Sequence, residues 1–223
     1  MPTRFRNRAE AGQRLAEKLG HYAHRNDAIV LALPRGGVPV GFEIARALNL
    51  PLDVFIVRKL GVPWQPELAM GAIASGDTVV FNENVIQQLG ESELIDSVIA
   101  RERVELQRRE RMYRDNRPPP DVRGRIVILV DDGLATGATM RAAIQAIRAQ
   151  QPARIVVAVP VASPDVCADL ATLVDEMICE VTPDSFYAVG LWYDDFSETT
   201  DQEVRDLLRE ANQFQHDSAE GNR

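Results

Sequence analysis

The sequence predicts an α/β fold with a mainly parallel sheet flanked by helices, and three observations predict it. Nearly all-apolar runs of strand length recur at Ala28–Leu33, Ile126–Val130 and Arg154–Val159. Runs of that kind suit strands buried on both faces, as in parallel sheets. Helical patterns alternate with them along the chain, which is the order that builds such a sheet.

The elements follow in sequence. Asn7 to His24 carries Ala, Leu and Tyr at helical spacing among charges, an amphipathic helix. The strand Ala28–Leu33 stops at Pro34, and Pro39 suits the first turn of a helix running to about Leu48. A strand over Leu52–Val57 comes next, with Arg58 and Lys59 at its end, and strand, helix, strand predicts a right-handed crossover. Gly61 to Gln65 reads as irregular. Ala69–Ala74 and Thr78–Phe81 flank Ser75-Gly76-Asp77 as a hairpin. A long helix spans 92–116, its dense Arg and Glu mostly a solvated face with i, i+4 pairs. Pro118-Pro119-Pro120 is a stiff spacer after it. Beyond Val130 the pattern gives a helix Ala138–Ala149, a strand Arg154–Val159, a helix near Asp165–Thr172 and a strand Val174–Cys179. An aromatic segment, Phe186–Phe196, precedes a helix from about Thr200 to Gln213, and the last residues look frayed. Strands of one kind resume after the spacer, so 1–223 reads as a single domain.

The totals bound the function. With 25 basic and 33 acidic residues the net charge is −8, which argues against broad nucleic-acid binding. No apolar run reaches membrane-spanning length, and the charged N-terminal stretch lacks the apolar core of a signal peptide. The expectation is a soluble cytoplasmic protein, with a homodimer as an open option. Cys167 and Cys179 have no CxxC spacing, cannot form a disulfide framework, and are expected as buried free thiols.

The stretch from 126 to 140 carries the chemistry. An apolar strand delivers two adjacent acids, Asp131 and Asp132, and then a loop of small and hydroxyl residues runs into a helix. Ligands of open α/β sheets bind outside the carboxyl ends of strands. Backbone N–H groups around Ala135, Thr136, Gly137, Ala138 and Thr139, with the two Thr hydroxyls, can cradle a phosphate. Carboxylates repel phosphate by roughly 3 kcal/mol at ~5 Å and an effective dielectric of ~20. The acids therefore face neutral hydroxyls or a metal, and a ribose offers two adjacent hydroxyls near its own 5′-phosphate.

Strand, acid pair and Thr-Gly-x-Thr loop resemble the binding motif for phosphoribosyl pyrophosphate (PRPP) of the type I phosphoribosyltransferases. No Gly-Lys-Thr/Ser follows the glycines, so the loop is not a P-loop. The resemblance implies that family's fold, with a small hood and a flexible hairpin loop at 58–81, and a Mg²⁺-dependent transfer of the phosphoribosyl group from PRPP to a nitrogenous acceptor. It implies a pyrophosphate loop at Arg35, Gly36 and Gly37, with Arg58 and Lys59 also on pyrophosphate. Asp131 and Asp132 would act on the ribose, and Glu67 on the incoming base. In the hood segment (180–213 with the last helix), Tyr187 would stack on the base, and Asp194 would lie near the metal together with Asp131. The position that holds an Asp in 6-oxopurine enzymes is Ala135 here, which puts a hypoxanthine or guanine acceptor in doubt. A PRPP-sensing regulator without transfer, or a hydrolase of ribose phosphates, would use the same donor site.

Overall fold

The computed structural model describes residues 4–89 and 92–220, without the side chains of 66, 67, 89, 92 and 215–220. Five strands form a parallel sheet: β1 (Ala28–Ala32), β2 (Leu52–Val54), β6 (Ile126–Val130), β7 (Arg154–Val161) and β8 (Glu176–Val181), in the order β2-β1-β6-β7-β8. The helices are α1 (Arg8–Lys18), α2 (Gly37–Leu48), α3 (Glu83–Leu89), α4 (Ser92–Arg114), α5 (Ala138–Ala149), α6 (Pro164–Ala171) and α7 (Asp201–Glu220). The predicted mainly parallel sheet flanked by helices is the fold observed.

Successive side chains of a strand point to opposite faces, and here both faces are covered. Val30, Ile128 and Val156 meet Leu15 of α1, Val40 and Ile44 of α2, and Leu208 of α7. Their neighbours Ile29, Leu129 and Val157 meet Met140, Ile144 and Ile147 of α5 and Leu170 of α6. That double cover is why β1, β6 and β7 carry no polar alternation.

A second, antiparallel sheet holds β3 (Val57–Val62), β4 (Gln65–Ala74) and β5 (Thr78–Phe81). The expected turn Ser75-Gly76-Asp77 joins β4 and β5, with Gly76 at φ 80° and Asp77 at φ 56°. One expectation fails at its first strand, where the run from Leu52 does not stay in the parallel sheet to Val57. The stretch 61–65 is the end of β3, a tight turn and the start of β4, irregular in its register shifts at Leu60/Gly61 and Gly61/Val62. Phe55 N still donates to Ala32 O, but Ile56 N turns to Ser75 Oγ (3.0 Å) while Ser75 N takes Ile56 O. The chain changes sheets there, so Arg58 and Lys59 lie within β3, paired with Ile73 and Ala72, rather than at the end of β2. Elsewhere boundaries move: α1 stops at Lys18, a 3₁₀ turn takes Gly20–Tyr22, and α7 continues past Gln213.

The mostly solvated face expected of α4 is observed with one exception, and the expectation of free thiols is corrected. Most arginines of α4 are on its solvated face, but Arg114 is 1% exposed, with Nε on Asp53 (2.8 Å), Nη1 on Glu110 (2.8 Å) and Nη2 donating to Val54 O (2.6 Å). It fastens α4 to β2. Cys167 and Cys179 are half-buried and joined in a disulfide. Packing α6 beside β8 brings their Cα atoms to 6.7 Å, inside the range a disulfide spans, although 12 residues separate them in sequence.

Candidate functional site

β1 and β6 end together: Ala32 pairs with Val130, and Leu33 N donates to Val130 O (2.8 Å). The loops 33–36 and 131–137 therefore leave the same edge side by side. Gly36 and Gly37 make this possible. A Cβ on Gly36 would overlap Asp132 Oδ2 and stand 2.6 Å from Asp132 Cγ. One on Gly37 would stand 2.8 Å from Val130 O and 3.0 Å from Asp131 Cα. The two glycines thus form a wall shared with the two acids, and α2 starts directly behind them. The Pro34–Arg35 peptide is cis.

Two carboxylates in that wall cannot both be comfortable as anions. Burial, reinforced by the charge of Asp132, pushes the Asp131 carboxyl well above the usual range. Burial also raises Asp132, against the pull of Arg8. Arg8 Nε sits 2.8 Å from Asp132 Oδ2, the two side chains only 12% and 15% exposed. Asp131 Oδ1 instead accepts the Asp132 N–H (2.9 Å).

Beyond the acids, Leu134 N donates to Val161 O and fixes the loop to β7. Gly137 has φ 71°, a left-handed conformation that favours glycine, and α5 begins at the next residue. Ala135, Thr136, Ala138 and Thr139 are placed around the start of α5, where Thr136 and Ala138 border a cavity, so N–H groups and Thr hydroxyls there can meet an anion. That cavity, of about 460 Å³, is lined by Gly71, Phe81, Thr136, Ala138, Arg141 and Gln145 among others, and lies between the small sheet and α5 beside this loop.

The expected cations are not free. Arg35 bonds the carboxylate of Glu198, from the segment before α7. Arg58 holds Glu102 of α4 through Nη2 (2.6 Å) and Nε (3.0 Å). Arg58 and Lys59 line a cleft of about 410 Å³ with Arg101. Glu67 belongs to β4, and its side chain lies outside the described residues. Tyr187 is 85% exposed, and Asp194 Oδ1 is 3.5 Å from Arg4 Nε. Among the described residues no three His, Cys, Asp or Glu side chains are grouped so as to hold a metal ion.

Four residues at this site are given no role by the sequence: Arg8 and Glu198, which nothing marks, and Tyr193 and Phe196, which stand out only as members of the aromatic segment. Tyr193 O–H donates to Asp132 O (2.6 Å), and its ring stacks on Phe196, 5.0 Å between centroids. Arg8 is one of several arginines near the start of the chain, and nothing in their spacing singles it out.

A model of the phosphoribosyl transferase domain matches residues 3–192. Proteins of Mycobacterium tuberculosis strains H37Rv and CDC 1551, each described as a "Putative phosphoribosyl transferase", are 45% identical over 208 residues. The match covers 93% of this chain but 47% of theirs, so the chain spans about half the length of these curated relatives. The crystal structure of TT1426 from Thermus thermophilus superposes with a TM-score of 0.83 at 43% identity, covering 93% of this chain and 99% of that one.

Proposed function

The chain belongs to the phosphoribosyl transferase domain family, and we propose that it transfers the 5-phosphoribosyl group of PRPP to a nitrogenous acceptor, a nucleobase or amine, releasing pyrophosphate. The observation that carries this reading is the shared wall. The acid pair lies against the glycine loop at 35–37 and runs on directly into the loop at 135–139, an order that suits a ribose with pyrophosphate on one side and phosphate on the other.

In this reading the N–H groups of Thr136–Thr139 and the two Thr hydroxyls take the 5′-phosphate. Asp131 and Asp132 accept the ribose hydroxyls and stabilise positive charge on the sugar as the C1′–O bond breaks. The acceptor nitrogen forms the new bond to C1′ and loses its proton, for which Glu67 is the proposed recipient. Pyrophosphate leaves with the bonding electrons toward Gly36, Gly37 and Arg35, with Arg58 and Lys59 as further cations. Closure of the β3–β4 hairpin would exclude water from this step. Tyr187 offers an exposed face on which an acceptor ring can stack.

Mg²⁺ supplies charge neutralisation on the leaving group when bound. The residues fit a cation held chiefly by the substrate. Asp131 is a hard oxygen donor with no arginine partner among the described residues, while Asp194 would first have to leave Arg4.

A second reading, a PRPP-sensing protein without transfer, is favoured by one observation: Arg35 and Arg58 are both held by carboxylates, Glu198 and Glu102. One experiment separates the two. Nucleobases and amines are screened with PRPP and Mg²⁺, pyrophosphate release is scored, and PRPP binding is followed by calorimetry. Release with any acceptor supports transfer; binding without release across the panel supports sensing; no binding overturns both.

A further inference from the structure

We propose that Arg8 is a positioning residue for phosphoribosyl transfer, holding the Asp132 carboxylate against the glycine loop through a strap laced to the hood. The inference rests on the transferase reading and deepens it at the ribose.

Arg8 opens α1, where its positive charge opposes the partial positive charge of a helix N-terminus. Asn7 already caps this helix, its Oδ1 accepting Glu10 N (3.0 Å), so Arg8 is not there for α1. Its guanidinium is instead fixed on three sides. Nε donates to Asp132 Oδ2 (2.8 Å), Nη1 donates to Ser197 O (2.7 Å), and Cζ lies 4.0 Å above the Phe196 ring. A fork locked by a carbonyl and an aromatic face presents its remaining N–H groups in one direction.

The backbone that carries Arg8 is held just as firmly. Phe5 N donates to Trp192 O (2.8 Å), Asp194 N to Phe5 O (2.8 Å) and Asp195 N to Arg6 O (2.9 Å). Phe5 is fully buried against Tyr193, and Tyr193 O–H in turn bonds the Asp132 carbonyl. Residues 4–8 and 192–197 thus form one clasp that grips Asp132 by both its main chain and its side chain.

The clasp decides what Asp132 can do. Oδ2 is committed to Arg8 and pressed on Gly36, whereas Oδ1 accepts no hydrogen bond from another residue among the described residues. Oδ1 is the oxygen left for a ribose hydroxyl, and Arg8 fixes its direction. Arg8 also cancels one of two adjacent buried negative charges, which otherwise oppose a substrate bearing phosphate and pyrophosphate.

The test compares wild type with Arg8→Ala, Arg8→Lys, Asp132→Asn and the Arg8→Ala/Asp132→Asn double variant, by PRPP calorimetry, pyrophosphate release and thermal melting. Removing a partner that orients a metal-binding side chain typically costs about 10- to 100-fold, and the same scale is expected for a partner that orients Asp132. We expect Arg8→Ala to lose that much kcat/KM for PRPP, and millimolar guanidinium, but not equal NaCl, to restore part of it. Arg8→Lys keeps charge but not the fork and should fall between. The double variant should lose no more than Asp132→Asn alone, because Arg8 acts through that carboxylate. Unchanged PRPP affinity and turnover in Arg8→Ala, or losses that simply add in the double variant, overturn the assignment even if melting shows a weakened fold. PRPP binding by wild type is the control. Its absence overturns the transferase reading and this proposal with it, whereas wild-type binding with affinity and turnover that Arg8→Ala leaves intact overturns the Arg8 assignment alone.

Discussion

Gly36→Ala is the sharpest probe of the wall between the two loops. Gly36 sits at φ −60°, ψ −30°, where alanine is at no conformational disadvantage, so the substitution tests space alone. The new methyl would stand 2.6 Å from Asp132 Cγ and overlap Oδ2. Carbon atoms in contact lie about 3.5–4.0 Å apart, so the carboxylate must retreat by roughly 1 Å. That retreat breaks its 2.8 Å contact with Arg8. Overpacking of this kind costs about 1–3 kcal/mol, and relief of glycine's unfolded-state entropy returns about 0.4–1 kcal/mol. The net loss of stability is therefore about 0–2.6 kcal/mol. The effect on the ligand is larger: a hydrogen bond to a charged group contributes about 1.5–3 kcal/mol, or roughly a 10- to 150-fold change in Kd. Calorimetry with PRPP, beside a thermal melt, reads both. An affinity within about twofold of wild type in a folded Gly36→Ala protein would refute the claim that Asp132 and the glycine loop share the donor site.

Further outcomes follow from the same geometry. Asp131→Asn should abolish tight PRPP binding yet raise the melting temperature by about 2–4 °C per kcal/mol relieved, because the amide keeps the acceptor for Asp132 N without a second buried charge; a lowered melting temperature counts against a repulsive pair. Gly137→Ala forces a left-handed residue at φ 71° and a contact 2.9 Å from Val166 Cγ1; ribose 5-phosphate affinity should fall with a stability loss of about 1–2 kcal/mol, checked by the same two measurements. Alkylating the denatured, unreduced protein should label neither Cys167 nor Cys179, and Cys167→Ser should cost stability on the order of 3 kcal/mol by the loop-entropy relation. Uptake of label in the mass spectrum would show the bond to be open.

What is legible in the sequence is what local chemistry writes there. Runs such as Ile126–Val130 announce strands covered on both sides, and the acid pair followed by Thr-Gly-x-Thr announces the loop and helix start found at that strand's end. What stays hidden depends on a partner distant in sequence. The run from Leu52 to Val57 carries no mark of the point where it changes sheets, because the agent is Ser75, nineteen positions beyond Ile56. Arg114 looks like every other arginine of α4, and only the meeting of that helix with Asp53 buries it. Arg8 is one basic residue in a basic stretch until the hood brings Phe196 and Ser197 to it. The cysteine pair is hidden for the same reason: spacing along the chain says nothing about α6 lying against β8.

The clasp has a consequence for biosynthesis. Arg8 and Ser197 are 189 positions apart, as are Arg4 and Tyr193. Every strand of the parallel sheet leaves the ribosome before residues 192–197, so the loops at 35–37 and 131–139 exist in a nascent chain whose first helix still lacks its anchor. Closing so long a loop adds little entropy beyond a shorter one, about 0.6 kcal/mol per doubling of length, so the delay is one of order rather than of energy. The proposed donor site is therefore completed after the strands that support it, and a chain arrested upstream of Trp192 would carry the loops at 35–37 and 131–137 but an ungripped Asp132.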